Sequence, residues 1–569
     1  MLNLRGAGLS AACAVLALMA WTWLGGAVWQ MLAAVLLWWL GHGFWQQSDK
    51  RLRRLYGALG ALFAFALALA LRLHVNGRTG GDGLVLSLLA ALCTAPAMGQ
   101  GFIWLTRGLE SLRKPVALKP AKAFQLVFLV LILCWMPVYL ACFPGITGYD
   151  MGLQTAMIRS GEYTTHHPLA HTLLVGFFMK LWQHLPGGES FGYALYTTLQ
   201  YALLAASIAY AMRWLCLIRC PKALWMGVLA LFALSPQHSL MAVSGTKDIL
   251  FAAGMLCACV EIIRMLTEPE RLKSWKVCLA DVCVIAFTGL MRKNMIYALA
   301  LVLLPCLGFV RKLGRRFFAV MLAGAVLCTA VDAVLFSVTD AEKGSVREML
   351  SVPIQQLARI HDQYGLDEPV SYEVLEVLPN ATDYQPDRAD FVKWSAKVQP
   401  MDRMVRFAKL WLRELFRFPI EYIDAFLYTA KGYWDVSDMS FATTYDVPGY
   451  PTGCMVLDQP ESYGVRLMSA LPGLRQELIR LFNLNEYRLA GPLWMLLHSA
   501  LYTWWMLWLI AWAWYRKNGA ALTALCLCAA YFLTLLLGPC ALIRYQYSLM
   551  LCAPVITGAL CACKGADRT

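Results

Sequence analysis

Apolar runs long enough to cross a bilayer recur along the chain, and they constrain the fold more than any other feature. The hydrocarbon core of a membrane is about 30 Å thick, so a helix of roughly 18 or more apolar residues can span it. Hydrophobic residues make up 59% of the 569 residues, whereas charged residues make up only 15%. A backbone in lipid must satisfy its own hydrogen bonds, so these runs predict helices and not strands.

The runs predict an all-α polytopic membrane protein with roughly fourteen transmembrane helices, outer juxtamembrane helices and one outer, mainly helical soluble domain. The predicted spans are residues 7–24, 26–45, 55–73, 83–105, 123–143, 191–217, 223–241, 248–266, 277–291, 295–310, 317–338, 488–514, 519–539 and 545–562.

The basic residues indicate which loops face the cytoplasm. Lys and Arg cluster in short segments between spans, as the positive-inside rule expects. These segments are Lys50–Arg54, Arg107–Lys122, Arg219/Lys222, Arg264–Lys276, Arg311–Arg316 and Arg516/Lys517. With them inside, both termini are predicted to be cytoplasmic. The net charge of +14 is then explained by these loops, and we predict no nucleic-acid partner.

Residues 169–182 are apolar but number only 14, which is more typical of an interfacial helix than of a span. If this segment crossed the bilayer, the four basic clusters after it would face outward. We therefore predict an outer juxtamembrane helix here, with Lys180 reaching toward the headgroups.

Four regions follow from this topology. Residues 1–122 hold N-terminal transmembrane helices, and residues 123–338 form a transmembrane core whose first outer loop is 144–190. Residues 339–487 lack a span and predict an extracytoplasmic domain with helices near 345–363, 388–417 and 419–433. Residues 488–569 hold C-terminal transmembrane helices.

Unusual polar residues collect on the predicted outer face. Polar and ionisable groups held at a membrane are costly, which makes them functional-site candidates. The first outer loop carries Asp150, Gln154, His166, His167 and His171. Three later outer turns carry Lys247 and Asp248, then Arg292, Lys293 and Asn294, and finally Arg544 and Tyr545.

Each candidate also has a structural interpretation. Asp150 can cap the helix that begins at Met151 and still present its carboxylate. Lys247 can pair with its neighbour Asp248, and Arg292 and Lys293 can reach lipid headgroups. Arg544 can pair with a carboxylate of the outer domain. Cations on the outer side usually have an anionic partner, and a lipid phosphate is the simplest one.

Metal binding is a weaker alternative. His167 and His171 lie four residues apart on a predicted helix with Pro168 in its first turn, which suits a metal pair, but no third ligand is evident. A phosphate or sugar at the helix N-terminus is the preferred ligand of these histidines. The pairs Cys257/Cys259 and Cys526/Cys528 lie in apolar helices and are predicted to be small buried hydrophobes. We therefore assign no metal residues and no certain cofactor, although a divalent metal remains open.

Several segments together resemble the GT-C superfamily of membrane glycosyltransferases. They are PGITGYDMGLQ (144–154), HHPLAHTLLVG (166–176), FGYALYTTLQYALLA (191–205), SGTKDILFA (244–252), MRKNMIY (291–297), SVPIQQLAR (351–359) and IRYQY (543–547). The last four are similar to a poorly characterised bacterial branch. The resemblance covers residues 123–560, and the paired acidic motif of some branches is missing because Asp150 stands alone.

The resemblance implies an enzyme that moves a sugar from a polyprenyl-phosphate donor to a cell-envelope glycan or lipid-linked acceptor on the outer membrane face. Asp150 would be the catalytic base of an inverting transfer. Lys247, Arg292 and Arg544 would neutralise the leaving phosphate, and His166 and His167 would orient the sugar or phosphate. Besides donor and acceptor, membrane lipids are expected partners.

Two alternatives remain. A flippase or transporter of lipid-linked oligosaccharides would also show many spans and outer cations, but it needs polar groups at mid-membrane depth. A polymerase or ligase of such oligosaccharides is an enzymatic alternative. The chain has no GxxxxGK[ST], GxGxxG after a strand or HExxH motif, so nothing in it indicates ATP-driven transport, a dinucleotide cofactor or a zinc protease.

Overall fold

Helices dominate the chain, and the few strands are two residues long. The computed structural model describes residues 30–147, 149–307, 314–365, 369–437, 461–462, 464–480 and 495–562. The first predicted span, 7–24, and the stretch 438–460 lie outside the described residues. Within them, the prediction of a mainly helical protein is confirmed.

The helices before the outer segment are α1 (Gln30–Trp45), α2 (Lys50–Asn76), α3 (Leu84–Glu110), α4 (Pro120–Ala141), α5 (Tyr149–Ser160), α6 (Leu169–Trp182), α7 (Gly188–Leu217), α8 (Lys222–Leu234), α9 (Pro236–Val243), α10 (Lys247–Thr267), α11 (Trp275–Met291), α12 (Asn294–Cys306) and α13 (Arg315–Val338). Two short strands, β1 (Ile146–Thr147) and β2 (Ser244–Gly245), pair in parallel.

The later helices are α14 (Ser351–Tyr364), α15 (Val370–Val377), α16 (Asp390–Lys393), α17 (Met401–Arg417), α18 (Pro419–Thr429), α19 (Lys431–Trp434), α20 (Pro472–Leu478), α21 (Ser499–Tyr515), α22 (Gly519–Leu535) and α23 (Ile543–Leu560). Strands β3 (Glu461–Ser462) and β4 (Val465–Arg466) pair antiparallel.

Five described helices are long and apolar enough to cross a membrane, namely α2, α3, α4, α10 and α13. The pair α8–α9 is bent by 53° and makes a sixth if it counts as one span. Three shorter helices are also apolar, namely α6, the Asn294–Pro305 part of α12, and α22. The protein is therefore membrane-associated in character, but the described residues hold fewer clear spans than the roughly fourteen expected from hydropathy.

The loops gather at two opposite ends of the bundle. At one end the backbone of Val116 bonds that of Cys220, Tyr515 bonds Asp49, and Arg516 pairs with Glu110. We call this the basic end, because Lys50–Arg54, Arg107–Lys122 and Arg516/Lys517 lie there. At the other end, which we call the site end, Thr165 bonds the backbone of Glu342 and Ala389 bonds that of Pro539.

Helix α6 does not carry the chain across the bundle. Thr165, just before α6, bonds Glu342, and Glu189, just after it, pairs with Arg159 of α5 at 2.6 Å. Both ends of α6 therefore lie at the site end, and the helix has the bounds expected for it, Leu169–Trp182.

The segment after α13 has a hydrophobic core of its own. Its buried side chains come from α14 to α18 and the loops between them, and include Ile354, Leu357, Val374, Phe407 and Tyr422. The single helix expected over 388–417 is divided into α16 and α17, because Pro400 disfavours a helical conformation at the residue before it. The helix expected over 345–363 begins at Ser351, after a 3-10 turn at Val346–Leu350.

Candidate functional site

The β1–β2 pair brings two helix N-termini side by side at the site end. Thr147 lies opposite Gly245, so α5 and α10 start close together. Gly245 is required there, because a Cβ atom at this position would collide with the hydroxyl of Tyr193. That hydroxyl donates to the carbonyl of Ile146 at 2.9 Å. The unpaired N–H groups of helix N-termini favour anions, so this junction is a natural position for negative charge.

Asp150, in the first turn of α5, faces two cations. The Arg544 guanidinium binds its carboxylate in a bidentate manner, with Nη1 to Oδ2 at 2.8 Å and Nη2 to Oδ1 at 3.1 Å. Lys247, the first residue of α10, donates to the same Oδ2. The Asp150 carboxylate therefore bridges cations from two sequence-distant turns, and the pairing of Lys247 with Asp248 considered above does not occur.

Asp248 forms a second, deeper layer. Its carboxylate pairs with Arg292, which follows α11, and with Nη1 of Arg544 at 3.3 Å. The Tyr545 ring lies against both guanidiniums, with its centroid 4.4 Å from Cζ of Arg292 and 4.9 Å from Cζ of Arg544. Arg292 is thus buried in the cluster and does not reach toward headgroups, and Arg544 pairs with Asp150 and not with an outer-domain carboxylate.

The cluster carries more positive than negative charge. Three cationic side chains meet two carboxylates, which leaves one positive charge in excess. The Asp248 side chain is fully buried, whereas that of Asp150 is 15% exposed. An excess cation in a poorly hydrated site attracts an anion more strongly than it would in water. The accessible layer around Asp150 is therefore electrostatically suited to an anion.

The pKa of Asp150 reflects its partners. Burial alone would raise the pKa of this carboxyl, but the opposing charges of Arg544 and Lys247 hold it well below its ordinary value. The carboxylate is therefore ionised at neutral pH and weakly basic while both cations stay on it. Removal of either cation would raise its basicity.

His167 is neutral in this site. Burial and the nearby Lys247 charge lower its pKa to about 2. Its Nδ1 lies 3.2 Å from Nζ of Lys247, an obligate donor, so the proton of the neutral ring is assigned to Nε2. Within the described part of the chain, the buried Nε2 has no hydrogen-bond partner. His167 therefore presents an unused donor beside Asp150. The adjacent His166 stacks edge-on against it, with ring centroids 4.6 Å apart, and burial also lowers the pKa of His166.

Gln154 and His171 hold the helices around the site in position. The amide of Gln154 lies 2.9 Å from Nδ1 of His171, whose Nε2 lies 2.6 Å from the Tyr196 hydroxyl. Tyr196 donates to Gln200 at 2.8 Å, and Gln200 donates to the carbonyl of Ser244 at 2.7 Å. This buried chain links α5, α6 and α7 to β2. Burial lowers the pKa of His171 to about 3, so its ring is neutral.

Lys293 and Asn294 point away from the carboxylates. Lys293 donates to the carbonyl of Thr165 at 3.3 Å, and Asn294 donates to Thr534 of α22 at 2.9 Å. Both side chains hold neighbouring segments together at the site end. They do not contribute directly to the charge cluster.

The outer segment supplies one edge of the site. Trp394 is 53% exposed, and its ring centroid lies 6.3 Å from that of His166. Lys393 pairs with Glu348 at 2.8 Å beside it. Tyr433 is only 1% exposed and packs in the core. Trp394 therefore offers an exposed stacking surface beside His166.

Three contributing residues were not singled out from the sequence. Thr246 caps α10 and lies 3.5 Å from Arg544. Tyr193 and Tyr196 lie in a span that reads as apolar. A Thr directly before a helix is a recognisable cap signal, whereas nothing in the sequence distinguishes the two tyrosines from ordinary core residues.

One group in the described chain has the donor set for a metal. Cys259, Cys528 and Cys552 converge from α10, α22 and α23, with ligand atoms within 4.8 Å of one another, and all three are buried. Thiolate sulfurs suit soft ions such as zinc or copper(I). The group lies about 18 Å along α10 from Lys247, counting 1.5 Å per residue.

His167 precedes α6, whose N-cap residue is Pro168, so it does not share a helical face with His171 as expected.

No curated protein and no solved structure matches the chain. A family model described as "Family of unknown function (DUF6020)" matches residues 158–568. The match begins after Asp150 and includes Lys247, Asp248, Arg292 and Arg544. Because it covers more than half of the sequence, the chain belongs to the DUF6020 family.

Proposed function

We propose that the protein is a GT-C-type membrane glycosyltransferase that moves a sugar from a polyprenyl-phosphate donor to a cell-envelope glycan or lipid-linked acceptor. The observation that carries the proposal is the partly accessible Asp150 carboxylate held by Lys247 and Arg544. Such a transfer requires a general base and, in contact with it, cations that can bind the phosphate.

The membrane topology in this proposal follows the two ends of the bundle. The basic end takes the cytoplasmic side, as the positive-inside rule expects, with both chain termini there. The site end then lies at the outer headgroup level. A polyprenyl phosphate in the outer leaflet would place its charged group at that depth, beside Asp150, Lys247 and Arg544.

Donor binding would activate the base. The donor phosphate competes with the Asp150 carboxylate for Lys247 and Arg544. As these cations shift to the phosphate, the carboxylate loses its stabilising partners and its basicity rises. Asp248, whose side chain is fully buried, pairs with both Arg292 and Arg544 and keeps Arg544 in position during this exchange.

The chemical step is a displacement at the anomeric carbon. The acceptor hydroxyl gives its proton to Asp150 as its oxygen bonds the anomeric carbon. The bond from that carbon to the phosphate oxygen breaks, and its electron pair leaves with the lipid phosphate. Lys247 and Arg544 stabilise the charge on the leaving group. A single displacement inverts the anomeric configuration, and no step needs a metal.

Neighbouring residues would orient the substrates. The Nε2–H of His167 is placed to donate to a phosphate or sugar oxygen, and His166 and Trp394 border the same space. Trp394 would stack on an acceptor sugar ring.

The test is turnover by purified protein in lipid with a panel of polyprenyl-phosphate sugars. Asp150→Asn should lower kcat by about 10²–10⁴-fold. Glu270→Gln serves as the control, because Glu270 is an exposed carboxylate at the basic end, its side chain being 77% exposed. Full activity of Asp150→Asn would remove this residue from the mechanism.

One observation favours transport as a second candidate. Helices α8 and α9 form a span bent by 53°, and broken spans with polar residues are common at transporter binding sites. Gln237 lies beside the break and is buried, and neither of its amide atoms has a hydrogen-bond partner among the described residues. The buried hydroxyl of Ser235 also has none there. If vesicles that contain the protein moved a lipid-linked oligosaccharide across their membrane without forming a new glycosidic bond, this alternative would be supported. A polymerase or ligase would instead form a bond between two glycans.

A further inference from the structure

Helix α17 in the outer segment carries apolar side chains on a face that no part of the described chain covers. Phe416 is 78% exposed, Met401 74%, Leu412 52% and Val405 46%. These residues recur at intervals of four, seven and four, so at 3.6 residues per turn they form one stripe along the helix. The stripe is about 22 Å long at 1.5 Å per residue.

The opposite face of α17 packs on the core of its own segment. Phe407, Leu410 and Glu414 are the buried residues of this helix. They lie roughly 180° around the helix from the exposed stripe, counting 100° per residue. The exposed stripe is therefore separate from the packed side, and only the packed side has a partner within the described chain.

Basic residues flank the exposed stripe. The helix has five basic and two acidic residues, Asp402 and Glu414. Arg413 pairs with Glu373 at 2.9 Å and Arg406 pairs with Glu376, but all four side chains are about half exposed or more. Ion pairs of this kind are weak and exchange readily with other anions. An apolar stripe beside net positive charge is the pattern of a helix that lies on an anionic lipid surface.

The position of α17 relative to the spans supports the same partner. Helix α18 follows α17 directly, and its Ile420 side chain packs against Gly80 in the turn between α2 and α3. Tyr428 of α18 donates to the carbonyl of Leu73, in the last turn of α2, at 2.9 Å. Both α2 and α3 are candidate spans. The C-terminal end of α17 thus lies at the depth where this helical hairpin ends.

Helix α18 also exposes apolar side chains. Ile420 is 45% exposed and Ile423 is 54% exposed, beside the α2–α3 turn that Ile420 contacts. Exposed apolar side chains therefore lie on both helices next to two candidate spans. This proximity favours lipid over a protein partner as their cover.

We propose that α17 is an interfacial helix whose Met401, Val405, Leu412 and Phe416 side chains lie among the acyl-chain and headgroup boundary of an anionic bilayer. Its flanking Arg and Lys side chains contact lipid phosphates. The helix fixes the height of the outer segment above the membrane. This proposal requires membrane association but is independent of glycosyl transfer.

Photo-crosslinking in single-protein nanodiscs of phosphatidylglycerol and phosphatidylethanolamine tests it. The photoreactive residue p-benzoyl-phenylalanine replaces Phe416 in one variant and Leu412 in another. The control replaces Arg403, which is exposed on the same helix and lies on the side away from the stripe. All three sites are exposed, so the substitutions should leave the fold intact.

After irradiation, mass spectrometry should find at least about fivefold more phospholipid adduct at positions 412 and 416 than at 403, because only the stripe reaches the acyl chains. Equal adduct at all three positions, or none at 412 and 416, would overturn the proposal. Crosslinking of position 416 to a second copy of the chain would also overturn it, since the stripe would then be a protein interface.

Discussion

Arg544 and Asp150 are joined by two hydrogen bonds, from Nη1 to Oδ2 at 2.8 Å and from Nη2 to Oδ1 at 3.1 Å. Asp150 lies in the first turn of α5 and Arg544 in the first turn of α23, so the two residues are far apart in sequence. The planar guanidinium fixes the carboxylate in orientation as well as in charge. The pair therefore sets the direction in which Asp150 faces a substrate.

Arg544→Lys should separate orientation from charge. Lysine keeps the positive charge but cannot form the two parallel bonds. We expect kcat for glycosyl transfer to fall by about 10–100-fold, with a smaller change in the KM of the donor. Arg544→Gln should weaken donor binding as well, because the charge is lost.

Steady-state kinetics on both variants would measure this difference. Arg159→Lys is the matched control, because Arg159 pairs with Glu189 at the same end of the bundle but outside the cluster. If Arg544→Lys retained full kcat, the bidentate geometry would be irrelevant to turnover.

Asp248→Asn should destabilise the protein more than Asp150→Asn does. The Asp248 side chain is fully buried and serves Arg292 and Arg544, whereas that of Asp150 is 15% exposed. Loss of the deeper carboxylate leaves two buried guanidiniums short of a counter-charge, a change that typically costs about 3–5 kcal/mol. Thermal unfolding in the same detergent or nanodisc would rank the variants. The reverse order would show that Asp248 is not the structural centre of the cluster.

The pH dependence of turnover should report the exchange of cations from Asp150 to the donor phosphate. The pKa of Asp150 in the free protein is far below its ordinary value of 3.8, so its ion pairs persist at any higher pH and are lost only as the pH falls through the depressed value. Donor phosphate draws the cations away and should raise this pKa.

The fall of kcat at acidic pH reports pKa values of the enzyme–substrate complex, whereas the fall of kcat/KM reports pKa values of the free enzyme and free substrate. We therefore expect the acidic limb of kcat to lie at higher pH than that of kcat/KM. Rate measurements from pH 3 upward in one lipid system would show an acidic fall in kcat over a range where kcat/KM is still level. Coincident limbs would mean that the phosphate does not displace Lys247 or Arg544.

His167→Ala should affect donor binding through the unused Nε2–H donor. His167 is neutral, with a pKa lowered to about 2 by burial and by Lys247, so its role should not vary with pH above about 4. Loss of one hydrogen bond to a charged group costs about 1.5–3 kcal/mol, which corresponds to roughly a 10–150-fold rise in the KM of the donor.

His167→Gln can partly replace this donor and should recover part of the loss. His171→Gln is the contrast, because His171 holds α5 and α6 together and its loss should appear in stability. An unchanged KM in His167→Ala would exclude a contact with the donor.

The sequence predicted the helices better than their membrane status. Residues 169–182 and 519–539 read as helices because their apolar residues run without an internal proline before Pro539, and the structure places helices at Leu169–Trp182 and Gly519–Leu535. Among the described residues, fewer helices than the predicted fourteen spans reach the length of a clear span, because apolar helices such as these two have fewer than 18 residues. The 53° bend between α8 and α9 occurs at Ser235–Pro236, where proline cannot continue the helix.

The members of the site were more predictable than their pairings. Asp150, Lys247, Asp248, Arg292 and Arg544 stood out because ionisable residues are rare beside apolar runs. Lys247 and Asp248 are neighbours in sequence, yet successive residues of a helix point in different directions, so one meets Asp150 and the other Arg292. Pairings of this kind depend on the β1–β2 register, which two residues of strand cannot indicate in a sequence.

Asp424→Asn should loosen the outer segment from the bundle. The Asp424 carboxylate accepts from the backbone N–H and the hydroxyl of Thr79 in the α2–α3 turn, and from Arg359 at 3.3 Å. Thr79 and Arg359 are both buried, so replacement of the carboxylate by an amide weakens all three of these hydrogen bonds. Arg359 keeps its ion pair with Glu421 at 2.8 Å, and the expected cost is about 1–3 kcal/mol. Because α14 to α18 have their own core, the expected result is local opening at this contact, with the segment still folded.

Limited proteolysis of the protein in nanodiscs would detect this opening as faster cleavage at the 77–83 turn and near α18. Asp383→Asn is the control, because Asp383 is an exposed carboxylate of the same segment. Equal cleavage of both variants would show that Asp424 does not anchor the segment. Faster cleavage throughout 351–417 would instead mean that the segment's core depends on the contact with α2 and α3.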